Sequence, residues 1–310
     1  LRAVAGLSDS ERRDRRARRR AQLRRRRRRA AFAVLAAVAV AAGLVVLLAT
    51  GGSGDPADRV VASATSARGA GRADRPAAAR DPRPLIPVDR IPPAVPGPAE
   101  VVQHGPARGR MVALTFDDGF CPPCVTTLIR NLRRTGAHAT LFPNGTYDAS
   151  WRPHARAIRA MVARGQLIVG SHTFSHVNSP AVGQAAFAED LRRNEEWIQR
   201  TFGLTGRPYL RPPYGAFDDG TLAAAGEQGY TKVVMWNGTV ADSTDPSAAY
   251  ILNAIRHWAR PGAIILLHAN YATTPEVLPR MLEILRRKRL RTATLQELIG
   301  GSPYRARPAR

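Results

Sequence analysis

From residue 110 onward, short apolar runs alternate with longer amphipathic stretches, and this alternation constrains the fold more than any other feature of the chain. Apolar runs at 111–117, 137–142, 167–170, 208–210, 230–236, 263–268 and 291–293 read as strands. Between them, 125–135, 155–164, 184–202, 218–228, 246–259 and 275–287 read as helices, with 295–299 a closing helical turn. Gly136, Gly165, Gly203 and Gly229 stand where four of these helices should stop. About seven strand–helix units imply a mainly parallel sheet with helices outside it. A doubly wound sheet and a barrel both satisfy the pattern. The polar residues help to decide, because Asp117 and Asp118, His172 and His176, Arg211, Asn237 and His268 each follow a strand end. A barrel gathers such ends on one face, whereas an open sheet spreads them along a line. The expectation is an α/β domain built as a small, irregular (β/α) barrel.

The first strand drives directly into Thr115-Phe116-Asp117-Asp118-Gly119. A buried strand delivering two acids at its tip is costly unless the charges are paired or bound to metal. Adjacent strand residues point in opposite directions, so the two acids can do different jobs. Asp-Asp-Gly alone is also a common turn. His172 and His176, four apart, have the spacing of two ligands on one metal, although a lone pair of this kind is equally a polar surface loop. One carboxylate with two imidazoles leaves coordination positions open, which is the catalytic pattern. Arg211 sits in a stiff Arg-Pro-Pro-Tyr-Gly turn, where a guanidinium can hold an acid in place. His268 ends a fully apolar strand and is a candidate general acid, or a core histidine satisfied by a hydrogen bond.

Together these motifs resemble the polysaccharide deacetylases of carbohydrate esterase family 4, the NodB-homology domain, over about residues 108–300. The resemblance implies that Asp117 is the catalytic base, that Asp118, His172 and His176 bind one divalent metal, zinc foremost, and that Arg211 supports the base. It also implies that the backbone N–H of Tyr214 helps to form the oxyanion hole and that His268 is the catalytic acid. The fourth motif departs from the family pattern of Trp-Asn-x-Asp-x-x-Asp-Trp. Here it reads Trp236-Asn237-Gly238-Thr239-Val240-Ala241-Asp242-Ser243. Thr239 stands where the family is expected to have the acid that orients the histidine, and Ser243 where it has a groove-lining Trp. Asp242 is the nearest remaining acid and could partner His268, or instead cap the helix that follows. The only cysteines, Cys121 and Cys124, flank two prolines just after the Asp-Asp-Gly turn. A local disulfide is the favoured reading, with free thiols, a redox centre and metal binding as alternatives.

The net charge of +23 is uneven, with 14 Arg against 3 acids in residues 1–29. Residues 30–50 follow with no charge at all. A span of about 20 apolar residues crosses a bilayer, and a basic flank stays cytoplasmic. Joined to such a span, the Arg run reads as a topology signal or a site for anionic lipid and not as a nucleic-acid site. Residues 1–29 are therefore expected as a basic cytoplasmic tail and 30–50 as a transmembrane helix. A signal peptide cleaved near residue 50, giving a secreted protein, is the alternative. Residues 51–107, rich in Pro, Ala and Arg, are expected as a disordered linker, 108–300 as the catalytic domain and 301–310 as a basic tail. The whole reads as a single-pass cell-membrane protein with its domain outside. Its expected partners are the lipid bilayer and a cell-wall glycan, with no nucleic acid. Removal of N-acetyl groups from peptidoglycan or a chitin-like glycan is the leading activity. The alternatives are an O-acetyl esterase on acetylated glycans and an inactive wall-binding domain.

Overall fold

The computed structural model of the protein describes residues 91 and 93–300. The expected basic tail, the apolar span at 30–50, most of the linker and the tail at 301–310 lie outside the described residues. No helix among the described residues is long and apolar enough to cross a membrane.

Among the described residues nine strands carry the domain: β1 (Glu100–Val102), β2 (Met111–Asp118), β3 (Ala139–Pro143), β4 (Leu167–Val169), β5 (Tyr209–Leu210), β6 (Lys232–Val234), β7 (Gly238–Thr239), β8 (Ile264–His268) and β9 (Arg291–Ala293). Seven helices accompany them among the same residues: α1 (Pro122–Thr135), α2 (Ala155–Ala163), α3 (Gln184–Phe202), α4 (Asp219–Glu227), α5 (Ala248–Trp258), α6 (Thr273–Arg287) and α7 (Leu295–Ile299). Single helical turns at Asp148–Trp151 and Ser179–Val182 fill two loops.

Every strand pairing is parallel, as the alternation demands. One sheet runs β4-β3-β2-β8-β7, with β9 against the start of β2, and the other runs β1-β6-β5. The two sheets meet just past β4, where Ser171 N–H donates to Tyr209 O and Arg211 N–H donates to Ser171 O, both at 2.9 Å. No strand pairing among the described residues joins β7 to β6 or β1, so the barrel is open there. This is the irregular barrel of the sequence reading, built as two parallel sheets joined by one bridge.

The alternation along β2 separates two apolar layers. Val112, Leu114 and Phe116 share a cluster with Val125, Leu128 and Leu132 of α1 and with Met281 and Leu285 of α6. Ala113 faces the other way and packs with Phe142, Tyr209, Val234 and Ile264 in the lumen, below which Leu295 and Leu298 of α7 lie. The same parity sends Thr115 and Asp117 inward, and on β8 it puts His268 on the face of Ile264. The register places Asp117 directly against His268.

Helix boundaries follow local chemistry. α1 begins earlier than expected because Pro122 and Pro123 are tolerated in a first helical turn. α3 ends at Gly203, whose φ of 63° lets its N–H reach Gln199 O.

The expected linker boundary at 107 is corrected, because residues 93–107 are described and contain β1. Val101 and Val102 pair in register with Val233 and Val234, and Glu100 bridges Lys232. Two valines are too short a run to show a period, and their partners lie about 130 residues away, so only the tertiary pairing reveals the strand. A chain starting at residue 108 should therefore melt below one starting at residue 93. The burial of Val102 alone contributes about 1.5–3 kcal/mol. Equal melting temperatures would remove β1 from the folded domain.

Candidate functional site

The polar residues at the strand ends converge at the C-terminal mouth of the barrel. Arg211 follows β5 and is fully buried, at 0% exposure. A buried guanidinium is tolerated only when its charge is paired and its donors find acceptors. One terminal nitrogen donates to Thr115 Oγ1 at 2.7 Å and to Asp117 Oδ1 at 2.9 Å. Nε donates to Val234 O at 3.1 Å, and the other terminal nitrogen donates to Met235 O at 3.2 Å. The plane also lies 4.6 Å from the Phe142 ring. Asp117 is thereby locked with its second oxygen, Oδ2, 3.8 Å from His172 Nε2.

Asp118 breaks the strand parity. Its φ of 66° is a left-handed conformation that non-glycine residues rarely adopt, and it ends β2. Trp151, fully buried, donates its indole N–H to Asp118 O at 2.8 Å. A Cβ on Gly119 would meet that indole at 2.3 Å, so this position accepts only glycine.

The two histidines flank a clamped loop. Asn144 donates its amide to the carbonyls of His172 and Thr173, and Asp190 accepts from the backbone of Phe174 and Ser175 at 2.9 Å each. His172 Nδ1 lies 2.7 Å from Arg211 O and donates to it, which aims Nε2 at Asp118. Both His172 Nε2 and His176 Nε2 stand 3.3 Å from Asp118 Oδ1. These three ligand atoms lie within 4.8 Å of one another.

Asp118 Oδ1 is buried and accepts no hydrogen bond from any donor among the described residues. Two imidazole nitrogens and one carboxylate oxygen aimed at one point require a cation there, either protons or a metal. The donor set fits zinc. The charges respond accordingly. Burial would raise the Asp118 carboxyl, but His172 at 3.3 Å and the charges of His172, His176 and His268 hold it well below the carboxylate range. Burial pushes His172 down, and Asp117 and Asp118 more than reverse this. His176 is lowered by burial and by His172.

On the other side, His268 Nδ1 lies 2.7 Å from Asp242 Oδ1. Asp242 Oδ2 accepts from the His268 backbone N–H at 2.9 Å and from Thr274 Oγ1 at 2.7 Å. Burial lowers the imidazole, but the Asp242 hydrogen bond and charge, with Asp117 and Asp118, raise it from 6.5 to about 9. The acid expected at Thr239 thus stands at Asp242. Thr239 Oγ1 instead accepts from Ala241 N–H, and Ser247, not Asp242, caps α5.

Tyr214 has a φ of 60° and is 69% exposed, with its ring edge-on to His176 at 4.6 Å. Asn237 stays at the strand layer, where its Oδ1 accepts from Ile264 N–H. Cys121 and Cys124 are joined as a disulfide across the first turn of α1. Beside them Phe120, 46% exposed, stands edge-on to Tyr147 and Tyr271 at 6.1 and 5.6 Å. Sequence reasoning missed this aromatic rim, along with Trp151, Asn144, Asp190 and Asn270. The one signal for the rim is that Phe120 directly follows Gly119 and Tyr271 follows shortly after His268.

A family profile described as polysaccharide deacetylase matches residues 104–233. A chitooligosaccharide deacetylase of a Bradyrhizobium species is 32% identical over 162 residues, 52% of this chain and 72% of that protein. Among solved structures, a peptidoglycan N-acetylglucosamine deacetylase superposes with a TM-score of 0.59 at 27% identity, over 66% of this chain and 95% of that one. A mutant of a CE4 family pseudoenzyme, described as having restored enzymatic activity, superposes with a TM-score of 0.58 at 25% identity, over 65% and 71%.

Two measurements check this geometry. In the metal-free protein the His268 ring should titrate near pH 9, and Asp242→Asn should bring it down toward 6.5 by proton NMR. Because the folded value is raised, the pair's stabilisation is complete below pH 6.5 and is lost as pH climbs through about 9. An unmoved titration would dissociate the two side chains. The Cys121→Ser/Cys124→Ser double variant should lose little stability, since so short a loop constrains little of the unfolded chain. Its turnover should fall through displacement of the Asp117–Gly119 turn, and unchanged turnover would confine the bond to a structural role.

Proposed function

The chain belongs to the polysaccharide deacetylases of carbohydrate esterase family 4, and from that premise we propose that it hydrolyses N-acetyl groups on an amino-sugar glycan of the peptidoglycan or chitin type. The observation that carries this reading is the pairing of opposite roles across one donor cluster. Asp117 with Arg211 lies on one side of Asp118, His172 and His176, and His268 with Asp242 on the other. A carboxylate held by a guanidinium and an imidazole held by a carboxylate are placed to serve as base and acid.

Asp118, His172 and His176 would hold one divalent metal, zinc foremost, which supplies an acidified water and a polarised acetyl carbonyl. Asp117, oriented by Arg211, takes the proton from the attacking water. The Tyr214 N–H helps to hold the developing oxyanion. His268, kept protonated by Asp242, gives its proton to the departing amine, leaving free amine and acetate. The Phe120–Tyr147–Tyr271 rim offers apolar ring edges and faces to a sugar, taking the place of the Trp that Ser243 lacks. The uncharged span at 30–50 behind its Arg-rich flank would anchor the domain outside the cell membrane.

The solved pseudoenzyme relative favours one other reading, a wall-binding domain without turnover. A pure binder needs no base and acid flanking a metal, and this chain keeps both with their buried partners.

Acetate release from N-acetylglucosamine oligomers, set against acetylated xylan, separates N-deacetylase, esterase and binder. The zinc-loaded protein should release acetate from the former, and His176→Ala should lower metal content and cut turnover by orders of magnitude. Asp242→Asn should move the basic limb of the rate profile to lower pH, because an unsupported His268 loses its proton earlier. A zinc-loaded protein that releases no acetate from either substrate would leave only the binder.

A further inference from the structure

We propose that Asn270 is a positioning residue that decides which oxygen of Asp118 faces a bound metal, an inference that rests on reading Asp118, His172 and His176 as the metal site. Asn270 lies in the loop between β8 and α6 and is 7% exposed. Its amide spans two consecutive residues of the Asp-Asp-Gly turn. Oδ1 accepts from Gly119 N–H at 3.0 Å, and Nδ2 donates to Asp118 Oδ2 at 2.7 Å.

The orientation of this amide is forced. A backbone N–H can only donate, so the oxygen must face Gly119 and the NH2 must face the carboxylate. Turning the amide over would set donor against donor and acceptor against acceptor.

The consequence falls on Asp118. One of its oxygens is occupied by Asn270, while Oδ1 is buried without a hydrogen-bond donor and stands 3.3 Å from both imidazole nitrogens. A carboxylate free to rotate presents either oxygen, or both. Held in this way it presents one, and the remaining coordination positions stay open for water and substrate. The backbone needs the same support, since Asp118 has a φ of 66°. A left-handed conformation at a non-glycine residue is strained and persists only where its surroundings over-determine it. Trp151 grips the Asp118 carbonyl, and Asn270 grips the carboxylate and the next amide. The sequence gives little warning, because Asn270 is two residues past the last recognised motif.

The test is the zinc dissociation constant, measured by competition with a chromogenic chelator for wild type, Asn270→Leu and Asn270→Asp. Losing an outer partner of a metal ligand typically weakens binding about 10–100-fold, and both variants should show this. Asn270→Leu removes both hydrogen bonds at similar volume. Asn270→Asp keeps the acceptor for Gly119 but sets a carboxylate against Asp118, so it separates carboxylate control from loop packing. If Asn270→Leu fails to fold, Asn270→Asp decides alone. The cobalt-substituted variants should also show an altered visible absorption spectrum, which a packing defect away from the ligand would not produce. Zinc affinity within about twofold of wild type in a folded variant, even one that melts earlier, would overturn the proposal. A wild-type protein that takes up no zinc would instead defeat the metal reading itself, and this inference with it.

Discussion

Arg211 is the charge on which the mouth of the barrel is assembled. It follows a strand of one sheet, donates to Thr115 and Asp117 of the other, and donates again to the carbonyls of Val234 and Met235. Its own carbonyl accepts from His172. One residue therefore touches both sheets and two of the groups that carry the chemistry. Among the described residues the two sheets share a single bridge, at Ser171, and this guanidinium adds hydrogen bonds to both at that end. Removing it would leave Asp117 buried and unpaired, a loss of about 3–5 kcal/mol in comparable cases.

The site sets a carboxylate and an imidazole side by side, each with a partner of opposite charge. Asp117 is held by a permanent cation, and His268 by a buried carboxylate that also accepts from a backbone N–H and a threonine hydroxyl. The parallel register of β2 and β8 sets the two side by side, and strand parity turns both inward. Their different partners, Arg211 and Asp242, distinguish them.

Much of this was legible in the sequence, for identifiable reasons. Long amphipathic helices announce themselves, and 184–202 coincides with α3 to the residue. Strand-end acids and histidines were legible because burying them makes no sense without a site. What escaped was carried by contacts distant in sequence. β1 is two valines whose partners come from β6. Asn144, Asp190 and Trp151 act on loops about 15 to 33 residues away through single hydrogen bonds, and nothing in their neighbourhoods marks them. The fourth motif was legible only as a choice. Asp242 was a partner for His268 or a helix cap, and the loop after β7, turning through Ala241 at a φ of 50°, delivers it to His268.

The disulfide has a consequence for which metal the protein can hold. Cys121 and Cys124 are the softest ligands the chain owns, and they lie within a few residues of Asp118. Tied to each other they cannot ligate, and the donor set next to them is one oxygen and two nitrogens. Released by reduction, two thiolates would outrank a carboxylate for zinc and would draw in monovalent copper. The closed disulfide thus withholds the softest competing donors from any cation held by Asp118, His172 and His176.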